Sequence, residues 1–257
     1  MEELRWQFAQ GFVLAFLLIY FLLSKACRLG LVDRPDTRKR HARSVPLIGG
    51  LAIFAVYLLL AGPLGDWSAA KLYFLVGGGL LVLVGALDDY FGFPTWPRFA
   101  AQALAGLCMV AGGVVLHDVG SITPGDAVIA LGLLAVPFTI FAVVGMINAA
   151  NMIDGIDGLS ASLFLVTIAA LAVIAVFAGR AHDVHQLVIL GAGIAAFLMF
   201  NARSPLRRAA TAFLGDAGSM FLGFALTWFL VDFSQGAHRA MPPASAPWLM
   251  ALPLLDT

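Results

Sequence analysis

Charge is scarce in this chain. Asp, Glu, Lys and Arg make up 12% of its 257 residues, roughly half the share of a soluble domain. Lysine and arginine (15) balance aspartate and glutamate (15), so the net charge is zero. Without a basic surplus, a nucleic-acid partner held by bulk electrostatics is excluded. Cysteine is limited to Cys27 and Cys108, both in apolar runs, which leaves neither a disulfide framework nor a thiolate metal spacing. Histidine is also sparse, and the close pair His182 and His185 is too small a donor set for a zinc site. No glycine-rich loop carries the lysine of a P-loop. What fills the chain instead is apolar: 61% hydrophobic residues and a mean hydropathy of +0.94. Hydrocarbon is the solvent such a surface needs.

A helix crosses the bilayer with about 20 mostly apolar residues. Candidate spans are Gln10–Cys27, Ile48–Leu64, Lys71–Leu87, Phe99–Leu116, Ala127–Ile147, Leu159–Ala178, His185–Phe200 and Ala212–Val231, and a ninth begins near Trp248. The expected fold is an all-α polytopic helix bundle forming one domain over residues 1–257. The basic cluster follows the first apolar run rather than precedes it, so an uncleaved span is expected there instead of a signal peptide. Glycines such as Gly77–Gly79, Gly191 and Gly193 read as close helix packing.

Lysine and arginine fix the orientation. Lys25, Arg28, Arg34, Arg38, Lys39, Arg40 and Arg43 follow span one, Arg98 follows span three, and Arg203, Arg207 and Arg208 follow span seven. The other set of loops holds only Arg5, Lys71, Arg180 and Arg239. This asymmetry places the N-terminus outside and the Arg34–Arg43 loop in the cytoplasm. On that map Asp88, Asp89, Asp154, Asp157 and Asp216 all fall on the cytoplasmic face, although the acids played no part in setting the orientation.

Acids at span ends are costly and face a cavity or a partner. The adjacent pair Asp88–Asp89 calls for a positive neighbour, and carboxylate oxygens suit Mg²⁺ or Mn²⁺. In Asn148-Ala-Ala-Asn151-Met-Ile-Asp154-Gly-Ile-Asp157-Gly158 the polar side chains recur every three residues, which would put them near one face of a helix. The two Asp-Gly steps argue instead for turns close to a ligand, where amides and carboxylates can meet a nucleotide or a metal. Phe213-Leu-Gly-Asp216-Ala-Gly-Ser219 opens span eight, with small residues at a helix start where amides favour anions. The basic loop Asp33–His41 reads both as a topology signal and as a phosphate clamp.

Four motifs together resemble the polyprenyl-phosphate N-acetylhexosamine-1-phosphate transferases of glycosyltransferase family 4. They are Val32-Asp-Arg-Pro with Arg38-Lys-Arg-His41 and Pro46-Leu-Ile-Gly-Gly50; Gly85-Ala-Leu-Asp88-Asp89; Asn148 through Gly158; and Phe213 through Ser219. Their wording is most similar to the bacterial undecaprenyl-phosphate N-acetylglucosamine-1-phosphate transferases, as is Trp248-Leu-Met-Ala-Leu-Pro253. The resemblance implies attack of undecaprenyl phosphate on a UDP-N-acetylhexosamine with release of UMP, using Mg²⁺ or Mn²⁺. It implies Asp88, Asp89, Asp154 and Asp157 as catalytic residues and Asp216 with Asp89 as metal ligands. It further implies Asn148, Asn151, Asp157, Asn201 and Phe213 at the nucleotide sugar, and Arg38, Lys39 and His41 at the lipid phosphate. The stretch from Asn201 to Asp216 is longer here than in the peptidoglycan branch. The implied setting is the bacterial inner membrane, with the active site cytoplasmic; the partner is the lipid bilayer, and a homodimer is compatible with the family. The family pattern also holds a His-x-His loop after span nine that this chain lacks, so a C-terminally truncated domain is expected, with about nine of ten or eleven spans.

Two other classes compete. An intramembrane prenyltransferase would want an acid four residues after the first of an aspartate pair, where Gly92 stands after Asp88. A transporter would carry ionisable groups near the midplane and internal repeats, whereas these acids gather at one face.

Overall fold

The computed structural model describes residues 2–33, 44–63, 67–121, 127–203, 207–237 and 239–256. The helices are α1 (Glu2–Leu23), α2 (Ala26–Leu29), α3 (Gly49–Ala61), α4 (Ala69–Phe91), α5 (Thr95–Ala111), α6 (Ala135–Met152), α7 (Leu159–Phe177), α8 (Ala181–Asn201), α9 (Gly215–Ser234) and α10 (Ala251–Leu255). A two-stranded antiparallel ribbon, β1 (Val32–Asp33) with β2 (Val45–Pro46), pairs Val32 with Pro46 and Asp33 with Val45.

Six stretches are long and apolar enough to cross a membrane: α1, α4, α6 with its preceding turn (Gly132–Met152), α7, α8 and α9. The protein is a multi-pass helical membrane bundle. Helix α5 has 17 residues and α3 has 13, and the C-terminal apolar stretch Pro243–Leu255 is broken into short turns. Length therefore qualifies six of the nine spans expected from the sequence. Helix ends also differ from the apolar runs. Cys27 lies beyond the end of α1, in the separate turn of α2, and Val114–Leu116 lie beyond the end of α5 without regular structure. Tryptophans mark both membrane surfaces, with Trp96 exposed at one end of the bundle and Trp6 and Trp67 exposed at the other, as the interfacial preference of indole predicts.

Helix α9 is the axis, almost wholly buried among α3, α4, α5, α6 and α7. Helix α8 lies in a second layer between α1, α3 and α7. In lipid the tails are as apolar as leucine, so close packing holds helices together rather than exclusion of water. The rings around α9 supply that packing: Phe221 meets Phe54 at 5.0 Å and Tyr57 at 6.1 Å between centroids, and Trp228 meets Phe74 at 5.3 Å. Near the first turn of α9 the backbones nearly touch. A Cβ on Gly50 of α3 would sit 2.2 Å from Gly218 Cα, closer than atoms can approach. This contact places the start of α9 against α3 and fixes where Asp216 emerges.

Candidate active site at one end of the bundle

Four of the sequence motifs meet at one end of the bundle, around a cavity of about 730 Å³. Val32, Asp33 and Leu47 supply one wall, the junction of α4 and α5 a second, the turn after α6 a third, and Asn201 with Phe213–Asp216 the last. Backbone pairing joins the motifs. Phe213 N donates to Pro46 O at 2.8 Å, Gly49 N to Phe213 O at 3.0 Å and Gly50 N to Leu214 O at 2.9 Å. The Pro46–Gly50 motif is thus the template for Phe213–Gly215.

The acid pair divides its work. Asp89 Oδ1 accepts from Asp216 N at 3.0 Å, and its Oδ2 accepts from Ala217 N at 3.4 Å, so the carboxylate caps the positive end of the α9 dipole. Gly215 makes this approach feasible: its φ is +75°, and a Cβ there would lie 2.6 Å from Asp89 Oδ2. Asp88 is buried, takes Phe93 N on Oδ1 at 2.6 Å, and faces Arg98 Nε with Oδ2 at 3.3 Å. That last contact is a charge pairing without an aligned hydrogen bond, because both atoms lack a hydrogen-bond partner.

Arg98, on the first turn of α5, is the positive neighbour the acid pair requires. Besides Asp88 it reaches Asp216 Oδ2 at 3.7 Å and donates from Nη2 to Asn151 Oδ1 at 3.0 Å. Asn151 Nδ2 in turn donates to Asp216 Oδ1 at 2.5 Å and to Ser219 Oγ at 2.9 Å. Sequence reasoning counted Arg98 only as an orientation signal and passed over Ser219. The available signal was its place: an arginine just past the acid pair, at the start of the next apolar helix.

The Asn148–Gly158 segment is helical through Met152 and then turns, as its Asp-Gly steps predict. Asp154 accepts a hydrogen bond from the Ser160 hydroxyl. Burial pushes its carboxyl up to about 7, the Ser160 hydroxyl pulls it down, and the Asp216 charge adds to the rise. Asp157 Oδ2 takes both Arg203 Nε at 2.9 Å and Ala210 N at 3.2 Å. Asn201 is buried and spent on both sides, with Oδ1 on Gly158 N at 2.7 Å and Nδ2 on Ala212 O at 3.0 Å. It ties the α8 end, the Asp157 turn and the segment before Phe213 together. Asn148 does not line the cavity; its amide meets Gln102 on α5 at 2.7 Å. Arg38, Lys39 and His41 lie outside the described residues, but β1 and β2, which flank their loop, run to the cavity wall at Asp33 and Leu47.

Six aspartates and one arginine line the cavity among the described residues. Such a wall repels a diphosphate unless cations accompany it. Among the described residues no three His, Cys, Asp or Glu side chains are grouped to hold a metal. Mg²⁺ needs no such cage, since it commonly takes one or two carboxylates with substrate phosphates and water. The hard oxygen donors here suit that cation; Asp216 is part-exposed in the cavity wall, whereas Asp89 is committed to the α9 amides.

The family model for glycosyl transferase family 4 matches residues 71–234. The chain belongs to this family. It is 36% identical to the undecaprenyl-phosphate alpha-N-acetylglucosaminyl 1-phosphate transferase of Haemophilus influenzae, over 95% of this chain and 69% of that protein. It is 36% identical to the same-named protein of Escherichia coli K12 and 37% identical to that of Salmonella typhi, in each case over 95% of this chain and 66% of the relative. The chain thus spans about two thirds of the length of these curated relatives. The family match runs from the start of α4 to the end of α9 and so encloses the acid pair, the Asn151–Asp157 turn and Asp216.

Proposed function

We propose that the protein transfers N-acetylglucosamine-1-phosphate, or a related N-acetylhexosamine-1-phosphate, from a UDP-sugar to undecaprenyl phosphate at the cytoplasmic face of the bacterial inner membrane. The observation that carries this reading is that Asp88, Asp89, Asp154, Asp157 and Asp216 line one cavity with Arg98 and Asn151 at one end of a membrane bundle. The names of the relatives supply the substrates. An oxygen of the lipid phosphate attacks the β-phosphorus of the UDP-sugar. The bond from that phosphorus to the bridging oxygen breaks, and its electron pair leaves on UMP.

Phosphoryl transfer depends on positioning and on neutralising charge. Bound Mg²⁺ or Mn²⁺ would neutralise the diphosphate and draw it to the acidic wall, with Asp216 as its principal protein ligand. Arg98 supplies a fixed positive charge beside the same carboxylates and needs only to turn toward phosphate oxygens. Asp88, buried against Arg98, or Asp154 is suited to keep the lipid phosphate ionised. Phe213 offers a ring at the cavity wall for the uracil, and Arg38, Lys39 and His41, between β1 and β2 in the sequence, are assigned to the acceptor phosphate. Asp157 is held by Arg203 and Ala210 at the nucleotide side, with Asn201 fixing the turn.

Asp216→Asn tests the metal assignment. The variant should retain its place in the membrane and lose turnover by about two to three orders of magnitude, the scale for removing one charge-stabilising group. Turnover near wild type at saturating Mg²⁺ would remove Asp216 from the metal site.

A further inference from the structure

Two polar rungs join α5 to α6. On α5, Arg98 and Gln102 are one helical turn apart on the same face; on α6, Asn151 and Asn148 are likewise. The first rung is Arg98 Nη2 to Asn151 Oδ1 at 3.0 Å, and it lies in the cavity wall. The second is Asn148 Nδ2 to Gln102 Oε1 at 2.7 Å. It lies one turn deeper, outside the cavity lining, where Gln102 is fully buried.

The second rung has a defined polarity. Asn148 Nδ2 also donates to Val144 O of its own helix at 2.8 Å, which fixes the nitrogen side of that amide. Gln102 must therefore present its oxygen. Its Nε2 is left buried without a partner, a desolvation cost that nothing repays. An apolar side chain would avoid that cost, so the return for glutamine here is the one bond through Oε1. Below the rung the helices come close: a Cβ on Gly106 would lie 3.2 Å from Ile140 Cα. The rung thus sits between this tight backbone approach and the site.

We infer that Gln102 and Asn148 are positioning residues whose shared hydrogen bond sets the rotation of α5 against α6 and so aims Arg98 at Asn151, Asp88 and Asp216. On the proposed transferase reading, Asn148 then serves the reaction without touching the nucleotide. A guanidinium that must meet three partners at once tolerates little helix rotation, and displacement by about an ångström costs up to two orders of magnitude in rate.

The test has two arms. Gln102→Met, Asn148→Leu and the double variant are assayed for transfer in membranes. Each single change should lower kcat about tenfold with little change in KM for the UDP-sugar. The double should be no worse than either, and Gln102→Met should add nothing in an Arg98→Ala background. The second arm needs no activity. Gly106→Cys with Ile140→Cys, made without Cys27 and Cys108, puts a thiol pair where an ideal Cβ at 106 lies 3.5 Å from Ile140 Cβ, within disulfide reach. Gln102→Met should slow its oxidation several-fold. Gln102→Glu, which keeps an acceptor for Asn148, should restore the rate, and it serves also if Gln102→Met does not accumulate. Unchanged cross-linking and unchanged kcat would overturn the inference. So would a selective rise in KM for the UDP-sugar in Asn148→Leu, which would put Asn148 on the nucleotide. Absence of transfer in the unsubstituted protein, with cross-linking still sensitive to residue 102, would count against the transferase reading and leave the rung in place.

Discussion

At the scale of single residues, Arg98 decides most. It is the only cation in the described cavity wall, and its pairing with Asp88 is largely withdrawn from solvent, with the Asp88 side chain 5% exposed. Removing one member of a buried pair leaves the other uncompensated, at a cost of about 3–5 kcal/mol. Arg98→Ala should therefore lower the melting temperature of the purified protein as well as its turnover. Replacing Asp88 with asparagine in the same protein should recover most of the lost melting temperature and none of the turnover. Loss of turnover without loss of stability would mean that Asp88 is compensated by another group. Asp154 gives a pH signature. Its carboxyl is raised from 3.8 to about 7, so the unfolded chain releases this proton first. Its contribution to stability is therefore complete below 3.8 and declines as pH rises toward 7. If the ionised form serves the reaction, turnover climbs through pH 7. Asp154→Asn should remove that limb, and Ser160→Ala, which deletes a contact that lowers the pKa, should move it to higher pH. A pH–rate profile of the three proteins checks the assignment; identical limbs would assign the titration elsewhere.

Elements explain why the site residues are where they are. The start of α9 is fixed from two sides, by Gly50 of α3 against Gly218 and by Asp89 of α4 on the first amides of α9. Gly50→Ala should force α3 and α9 apart at a cost of about 1–3 kcal/mol, the usual range for overpacking. Thermal unfolding would show it, and an unchanged melting temperature would mean that the two helices have slack. The apolar runs and the polar exceptions within them made the helices, the Asp-Gly turn and the acids visible in the sequence, because a carboxylate in an apolar chain stands out. Tertiary uses of those groups were not visible. Nothing local marks Asp89 as a helix cap for a segment 127 residues away, or Asn201 as a clamp with both amide ends occupied. Arg98 was hidden because orientation already accounted for it. Helix ends were misjudged where apolar residues continue past the last helical turn, as at Val114–Leu116.

At the scale of the whole molecule, the asymmetry of charge is the organising fact. One end of the bundle carries the acid-rich cavity. The other carries ion pairs that close on themselves, with Arg180 bound to both Asp183 and Asp232 and stacked over Phe233 at 4.3 Å. Those aspartates sit within the end turns of α8 and α9, and they lock helices without lining the cavity. Residues 34–43, which carry the basic motif, lie outside the described residues, but the strands on either side of them, β1 and β2, reach the acidic end through Asp33 and Leu47. Arg38→Ala and Lys39→Ala should each raise the apparent KM for lipid phosphate several-fold, with a smaller effect on the UDP-sugar; wild-type values for both substrates would leave the loop an orientation signal only. The central claim is that this acid-rich, arginine-centred cavity moves a phosphosugar onto a lipid. Its most direct test is release of UMP by membranes containing the protein, given undecaprenyl phosphate, UDP-N-acetylglucosamine and Mg²⁺. The account predicts release that stops when either substrate or the cation is omitted. Membranes that release no UMP with any UDP-N-acetylhexosamine, while the protein is present and folded, would contradict it.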